Sequence, residues 1–176
     1  MLNAREQAGF YLRSGPFRTV AAAGLILLLA GSAMLRNSLW ASDSTIYLDA
    51  LKKSPRKERV RYNLGNALAG EGKYREALVH FTAARDMIPG RSENHNQIAN
   101  IYFIFGRTSE AIDEWRSAIE LDPKNFEALF NLAQALELAG KKDDAAVYYR
   151  RFLEGADATY ALQLEKARRY LTGSNE

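Results

Sequence analysis

Between residues 98 and 123 the apolar positions fall into two stripes. Ile98, Ile101, Tyr102 and Phe105 stand at i, i+3, i+4 and i+7, the spacing that puts side chains on one face of an α-helix. Gly106 follows, where a chain leaving a helix turns through the left-handed region. A second stripe runs through Ala111, Ile112, Trp115, Ala118 and Ile119, and Pro123 stops it. The pattern predicts a pair of helices joined by a tight turn.

The pair recurs with a period of 34 residues. Pro55, Pro89 and Pro123 keep that interval, as do Gly72, Gly106 and Gly140, and Ala77, Ala111 and Ala145. So do Phe81, Trp115 and Tyr149, and Leu64, Ile98 and Leu132, the last three each followed by a small residue: Gly65, Ala99 and Ala133. The small residues are expected where two helices approach closely and a large aromatic fills the space beside them. A lone hairpin cannot bury its own stripe, so each repeat needs a neighbour, and about three are required for stability.

The run Leu64-Gly65, Gly72, Ala77, Phe81, Ala84 and Pro89 resembles the tetratricopeptide repeat. On that resemblance, residues 58–91, 92–125 and 126–159 form three full repeats. The third departs from the pattern at Phe152, which replaces an alanine, and at Asp157, which replaces the proline. Residues 43–57, with Ile46, Tyr47, Ala50, Leu51 and Pro55, fit a degenerate half-repeat. Residues 160–176 hold an amphipathic capping helix, Tyr160 to Leu171, whose Glu165, Lys166, Arg168 and Arg169 keep the end of the array soluble. The expected fold class is all-α, an α-solenoid behind a single N-terminal transmembrane helix. Such a resemblance implies a scaffold, not a chemistry.

The membrane helix is expected from the first part of the chain. Arg18 and Arg36 bracket 17 uncharged residues, TVAAAGLILLLAGSAML, about 25 Å of helix against a hydrocarbon core of about 30 Å. Snorkelling arginines, with Phe17 and Trp40 at the interfaces, extend the span to residues 18–40. A cleaved signal peptide is the competing reading, with Ala30-Gly31-Ser32 as its small-residue site. Arg13 and Arg18 outweigh Arg36, so residues 1–17 are expected in the cytoplasm and the array outside it, periplasmic if the cell is bacterial. The junction Leu35-Arg36-Asn37-Ser38-Leu39-Trp40, followed by Leu51-Lys52-Lys53-Ser54-Pro55 and Tyr62-Asn63-Leu64-Gly65, is similar to the join in membrane glycosyltransferases of the protein O-mannosyltransferase type. The many-helix catalytic part of that family is not in this sequence, so no transferase activity is carried over.

Charge changes the picture only at the N-terminus. Residues 1–42 carry four arginines and one glutamate, which account for the whole formal charge of +3. The remainder is balanced, whereas a duplex-binding domain needs excess cations to displace counterions, so no nucleic-acid partner is expected. The cations Lys52, Lys53, Arg56, Lys57, Arg59 and Arg61 read as a solvated loop relieved by Asp49 and Glu58, with an anionic membrane surface as the alternative.

Catalytic chemistry finds no foothold. The absence of cysteine excludes disulfide, thiol and iron–sulfur chemistry. His80 and His95 stand on different helices without acidic companions and read as surface residues, so no metal is expected. Gly70-Glu71-Gly72-Lys73 fails as a phosphate loop, because Ala67 replaces the first glycine and Tyr74 the magnesium-binding hydroxyl. Asp143-Asp144 and the Glu120/Asp122 pair suit helix ends. No enzyme activity, cofactor or small-molecule substrate is expected.

The informative surface is the concave one, lined by the first helix of each repeat. Asn66, Asn100 and Gln134 recur there, as do Asn63, Gln97 and Asn131, with Asn96 beside them. Amides donate and accept, so a ladder of them can grip a peptide backbone irrespective of its sequence; struts between repeats are the alternative. Tyr62, Phe103, Ile104 and Phe130 lie off the stripe and are expected to need a partner. In the resembling family, a clamp for acidic C-terminal tails uses cations on this face. Tyr62, Gln97, Glu127 and Asn131 stand there instead, so such tails are not expected ligands. The expected function is a membrane-anchored adaptor or assembly factor that binds a protein segment in the groove. A permanent accessory subunit of a large envelope complex, or a regulatory partner of a membrane glycosyltransferase, are the alternatives.

Overall fold

The computed structural model describes residues 43–173. The expected cytoplasmic segment (1–17), the membrane helix (18–40) with its junction, and residues 174–176 lie outside them. Among the described residues no helix is long and apolar enough to cross a membrane, and none is a strand.

The elements are α1 (Asp43–Lys53), α2 (Glu58–Gly70), α3 (Tyr74–Met87), α4 (Ser92–Ile104), α5 (Thr108–Leu121), α6 (Phe126–Leu138), α7 (Lys142–Gly155), a 3₁₀ turn (Ala158–Tyr160) and α8 (Ala161–Thr172). Helices α2 and α3, α4 and α5, and α6 and α7 pair as hairpins. Each hairpin packs its second helix on the first helix of the next, and α7 packs on α8. Helix α4 also touches α6, so first helices lie side by side. The array occupies the unit from Tyr47 onward. It is an all-α solenoid.

One turn is built three times. Gly72, Gly106 and Gly140 have φ of 77°, 73° and 74°, a region that costs other residues strain. The turn lets Lys73, Arg107 and Lys141 donate their backbone N–H to Leu68, Tyr102 and Leu136 at 2.8, 2.9 and 2.9 Å, which satisfies carbonyls the helix end would orphan.

Inside each hairpin the small–aromatic spacing sets the approach. A Cβ on Gly65 would sit 2.7 Å from the ring of Phe81, so nothing larger than glycine fits there without a shift. Ala99 and Ala133 are fully buried in the same register, in one core with Trp115 and Tyr149. That core runs from Ala99 to Ala167 of α8. A smaller one, built on Leu64, Leu68, Ala77, Phe81, Ile98 and Ile101, receives Tyr47 and Leu51 from α1. Ile46, expected on the α1 stripe, is exposed.

Three expectations need correction. Phe105 was expected to end the α4 stripe but is exposed: the helix stops at Ile104, and Phe105 at its C-cap is rotated out of the stripe by the turn. Glu58 was expected to offset the cations of residues 52–61, yet it is buried and faces the next repeat. Its carboxylate accepts from Arg91 Nη1 at 2.7 Å and Asn94 Nδ2 at 3.1 Å. Lys53 does pair with Asp49, at 2.7 Å. His95 is half-buried and acts as a strut: its Nδ1 donates to Glu114 Oε2 at 2.7 Å, while Arg85 reaches Glu114 Oε1 at 3.0 Å. His80 is half-buried as well, and burial, then the nearby Arg61, pushes its imidazole below the ordinary range.

The irregular third repeat is held by aromatic packing. Phe126 stands where the earlier repeats have Ser92 and Glu58, and it fits because Gly155 lies opposite. A Cβ on Gly155 would meet the Phe126 ring at 2.7 Å. Phe152 then packs against Phe126, Phe130 and Tyr160. Asp157, in place of the proline, accepts from the Thr159 N–H at 2.9 Å and holds the 3₁₀ turn; the Thr159 hydroxyl, and then that N–H, keep its carboxyl below the usual range.

Candidate binding face

The first-helix face of α2, α4 and α6 carries two recesses. One, of about 190 Å³, is lined by Asn100, Phe103, Ile104, Trp115, Asn131 and Gln134. The other, of about 320 Å³, takes in Tyr62, Asn96 and Gln97 near the N-terminal ends of α4 and α6. Seven of the ten side chains expected in the groove line one or other recess; Asn63, Asn66 and Phe130 do not.

Several of the amides are already engaged. Asn100 Oδ1 accepts from Trp115 Nε1 at 3.1 Å and from Asn131 Nδ2 at 3.0 Å. This satisfies an indole N–H that is otherwise buried and ties α4 to both α5 and α6. Asn96 is only 2% exposed and donates to Glu127 Oε2 at 3.0 Å. Asn100, Asn131 and Asn96 are therefore inter-helix struts, whatever else they contact. Asn66 is exposed, and Asn63, Gln97 and Gln134 are half-buried.

The apolar residues divide in the same way. Phe130 was expected to stand off the stripe, but it is buried against Tyr149 and Phe152, with ring centroids at 5.8 and 5.2 Å. The equivalent Asn96 is buried as well, so the register itself turns inward, and Phe152, in place of an alanine, supplies a ring for Phe130 to meet. Tyr62 lies edge-on to Phe81 at 5.7 Å and Phe103 tilts against Trp115 at 5.6 Å, each half-buried. Ile104 is 53% exposed, and Leu138, one period on, is 75% exposed. Leu138 and Glu93 escaped the sequence reading although each has a partner one period away, in Ile104 and Glu127; Glu127 and Asp122 were read only as a clamp position and a helix end.

No catalytic constellation accompanies this face. Among the described residues no group of acidic or histidine side chains has metal-ligating spacing. The strongest perturbation is structural: burial, then the hydrogen bond to Glu137, raises the Tyr149 hydroxyl far above the usual phenol range.

Comparison with known proteins agrees with the fold. Residues 99–140 match the family model described as TPR repeat, the tetratricopeptide repeat. The human protein O-mannosyl-transferase TMTC3 is 30% identical over 51% of this chain, but the match takes in only 10% of that protein. The chain thus spans about a tenth of that relative's length. The photosystem I assembly protein Ycf3 of Prochlorococcus marinus is 27% identical over 54% of this chain and 61% of its own. Among solved structures, the Sgt2 TPR domain from Aspergillus fumigatus superposes with a TM-score of 0.57 at 22% identity, covering 67% of this chain and 81% of that one. The array has the architecture of a tetratricopeptide-repeat solenoid.

Proposed function

We propose that this chain is a non-enzymatic adaptor, tethered to a membrane by residues 18–40, that holds an extended segment of a partner protein on the first-helix face of its array. The observation that carries the reading is Ile104, exposed in the lining of a recess with amides beside it, with Leu138 likewise exposed one period on. Apolar side chains repeated on one face gain by being covered, and amides beside them supply donors and acceptors for a bound backbone. The similarity to a relative named for photosystem assembly supports a role in assembling complexes. The similarity to TMTC3 supports a second reading, a partner of a membrane glycosyltransferase.

Two experiments test the proposal. Fractionated membranes should retain the chain through alkaline washing, and protease added outside the inner membrane should digest the array; recovery in the soluble fraction would remove the anchor. Binding of random nonapeptides to the full chain should weaken at least tenfold in a variant carrying Ile104→Ser and Gln134→Ala, with helical content unchanged. Unaltered binding would move the partner to another surface.

A further inference from the structure

The larger recess has a chemistry that the groove reading leaves unused. Its walls are aromatic: Tyr62 from α2, Phe126 from the start of α6 and Tyr160 from the turn before α8. Its charges are the carboxylates of Glu93, Asp122 and Glu127 against the single ammonium of Lys124. At the positions equivalent to Glu93 and Glu127 the first repeat has Arg59, so the acidity belongs to this bay and not to the array as a whole.

A second observation points to a missing donor. Asn96 lines the recess and is 98% buried in effect, with 2% exposure. Its Nδ2 is used on Glu127, but its Oδ1 has no hydrogen-bond partner in the chain. A buried acceptor left unpaired is costly, and few native side chains are left that way without a ligand or water to meet them. The bay is electrostatically negative as well: after burial, the charges of Glu127 and Asp157 hold the Tyr160 hydroxyl above its ordinary range.

We propose that this recess receives an arginine side chain from the partner segment held on the first-helix face. The inference rests on the groove reading and adds the chemistry of its occupant. The three carboxylates lack metal-ligating spacing, so a bare cation does not fit them. A guanidinium does: its planar fork offers five donors for carboxylates and an amide oxygen, and its face stacks on aromatic rings. A lysine ammonium has the charge without the flat face or the fork. The volume of about 320 Å³ admits a guanidinium with part of its aliphatic stem.

The test uses the full 176-residue chain in detergent micelles and an array of random nonapeptides. Arginine should be enriched among the retained peptides, with lysine weaker and glutamate depleted. For the best arginine peptide, replacing the arginine by glutamine should weaken binding about tenfold. The double variant Glu93→Gln with Glu127→Gln should weaken the arginine peptide about tenfold too, leaving the glutamine peptide and the helical circular dichroism unchanged. Binding without preference for a basic residue would overturn this inference and leave the groove reading standing. An arginine preference that survives the double variant would place the cation elsewhere and also overturn it. If no peptide is retained, the groove reading fails and the inference with it.

Discussion

The first and third repeats share one backbone plan and hold it by different chemistry. At the seam between the first and second repeats, the buried Glu58 is tied to Arg91 and Asn94. The equivalent places in the third repeat are filled by Phe126, packed on Gly155, Phe152 and Tyr160. The first repeat carries the smaller core, whereas the third shares one apolar core with the second repeat and the capping helix. The helix geometry is thus dictated by the small–aromatic register and the glycine turn, and the seam between repeats is free to be ionic or aromatic. Ionic seams specify neighbours through hydrogen bonds; aromatic seams gain more from burial.

The largest expected effect comes from breaking the aromatic seam. Phe152 is fully buried among three rings, so Phe152→Ala should cost about 3–5 kcal/mol and loosen the third repeat and α8 together. Urea denaturation followed by circular dichroism measures it; a loss below 1 kcal/mol would mean that the cap closes the core without it. The two glycines sharpen the same contrast. Gly65→Ala drives a methyl into Phe81, which is fully buried and has nowhere to go, for roughly 1–3 kcal/mol. Gly155→Ala meets the half-buried Phe126, whose ring can swing, and should cost less. Equal losses would show that the two contacts are equally rigid.

On the ionic side, Arg91→Met removes the shorter of the two bonds to the Glu58 carboxylate and should cost about 1.5–3 kcal/mol. Adding Glu58→Leu should recover most of that loss, since a buried pair replaced by apolar groups is often neutral or better. A double-mutant cycle with no coupling would show that the pair only decorates the seam. Alkaline titration separates the seams differently. The Tyr149 hydroxyl is raised in the fold, so its contribution is complete below the ordinary phenol value of about 10 and lost as pH climbs beyond it. Tyr149→Phe should give up about 1 kcal/mol at neutral pH, the bond to Glu137, and flatten the alkaline limb of the stability profile. An unchanged limb would assign the alkaline loss to other groups.

Most of the array was legible in the sequence, because period and steric size leave a mark at every repeat. The glycine turns and the fit of Gly65 to Phe81 both follow from residues that recur in register. What did not repeat was read less well. Phe130 looked free because it lies off the apolar stripe, yet Tyr149 and the irregular Phe152 pack against it. Glu58 looked like part of a charged loop, since its partners Arg91 and Asn94 lie a whole repeat away. The amide ladder was visible, but a sequence does not show which amides have already spent their hydrogen bonds.

That last distinction gives the smallest effect and the finest comparison. Asn66 and Asn100 occupy the same register one period apart, yet only Asn100 is engaged. Asn100→Ala leaves the Trp115 indole N–H and the Asn131 amide without their acceptor, at about 1–3 kcal/mol, despite the better helix propensity of alanine. Asn66 is exposed and its amide is not needed by a neighbouring helix, so Asn66→Ala should change stability by no more than about 0.5 kcal/mol. Peptide binding should fall in both, and only in Asn100→Ala should the midpoint of thermal unfolding fall with it. If Asn66→Ala destabilises as much as Asn100→Ala, the ladder is structural from end to end and its amides are no guide to the groove. If Asn66→Ala alters neither stability nor binding, the bound segment does not extend to the first repeat, and the contacts with the partner are confined to α4 and α6.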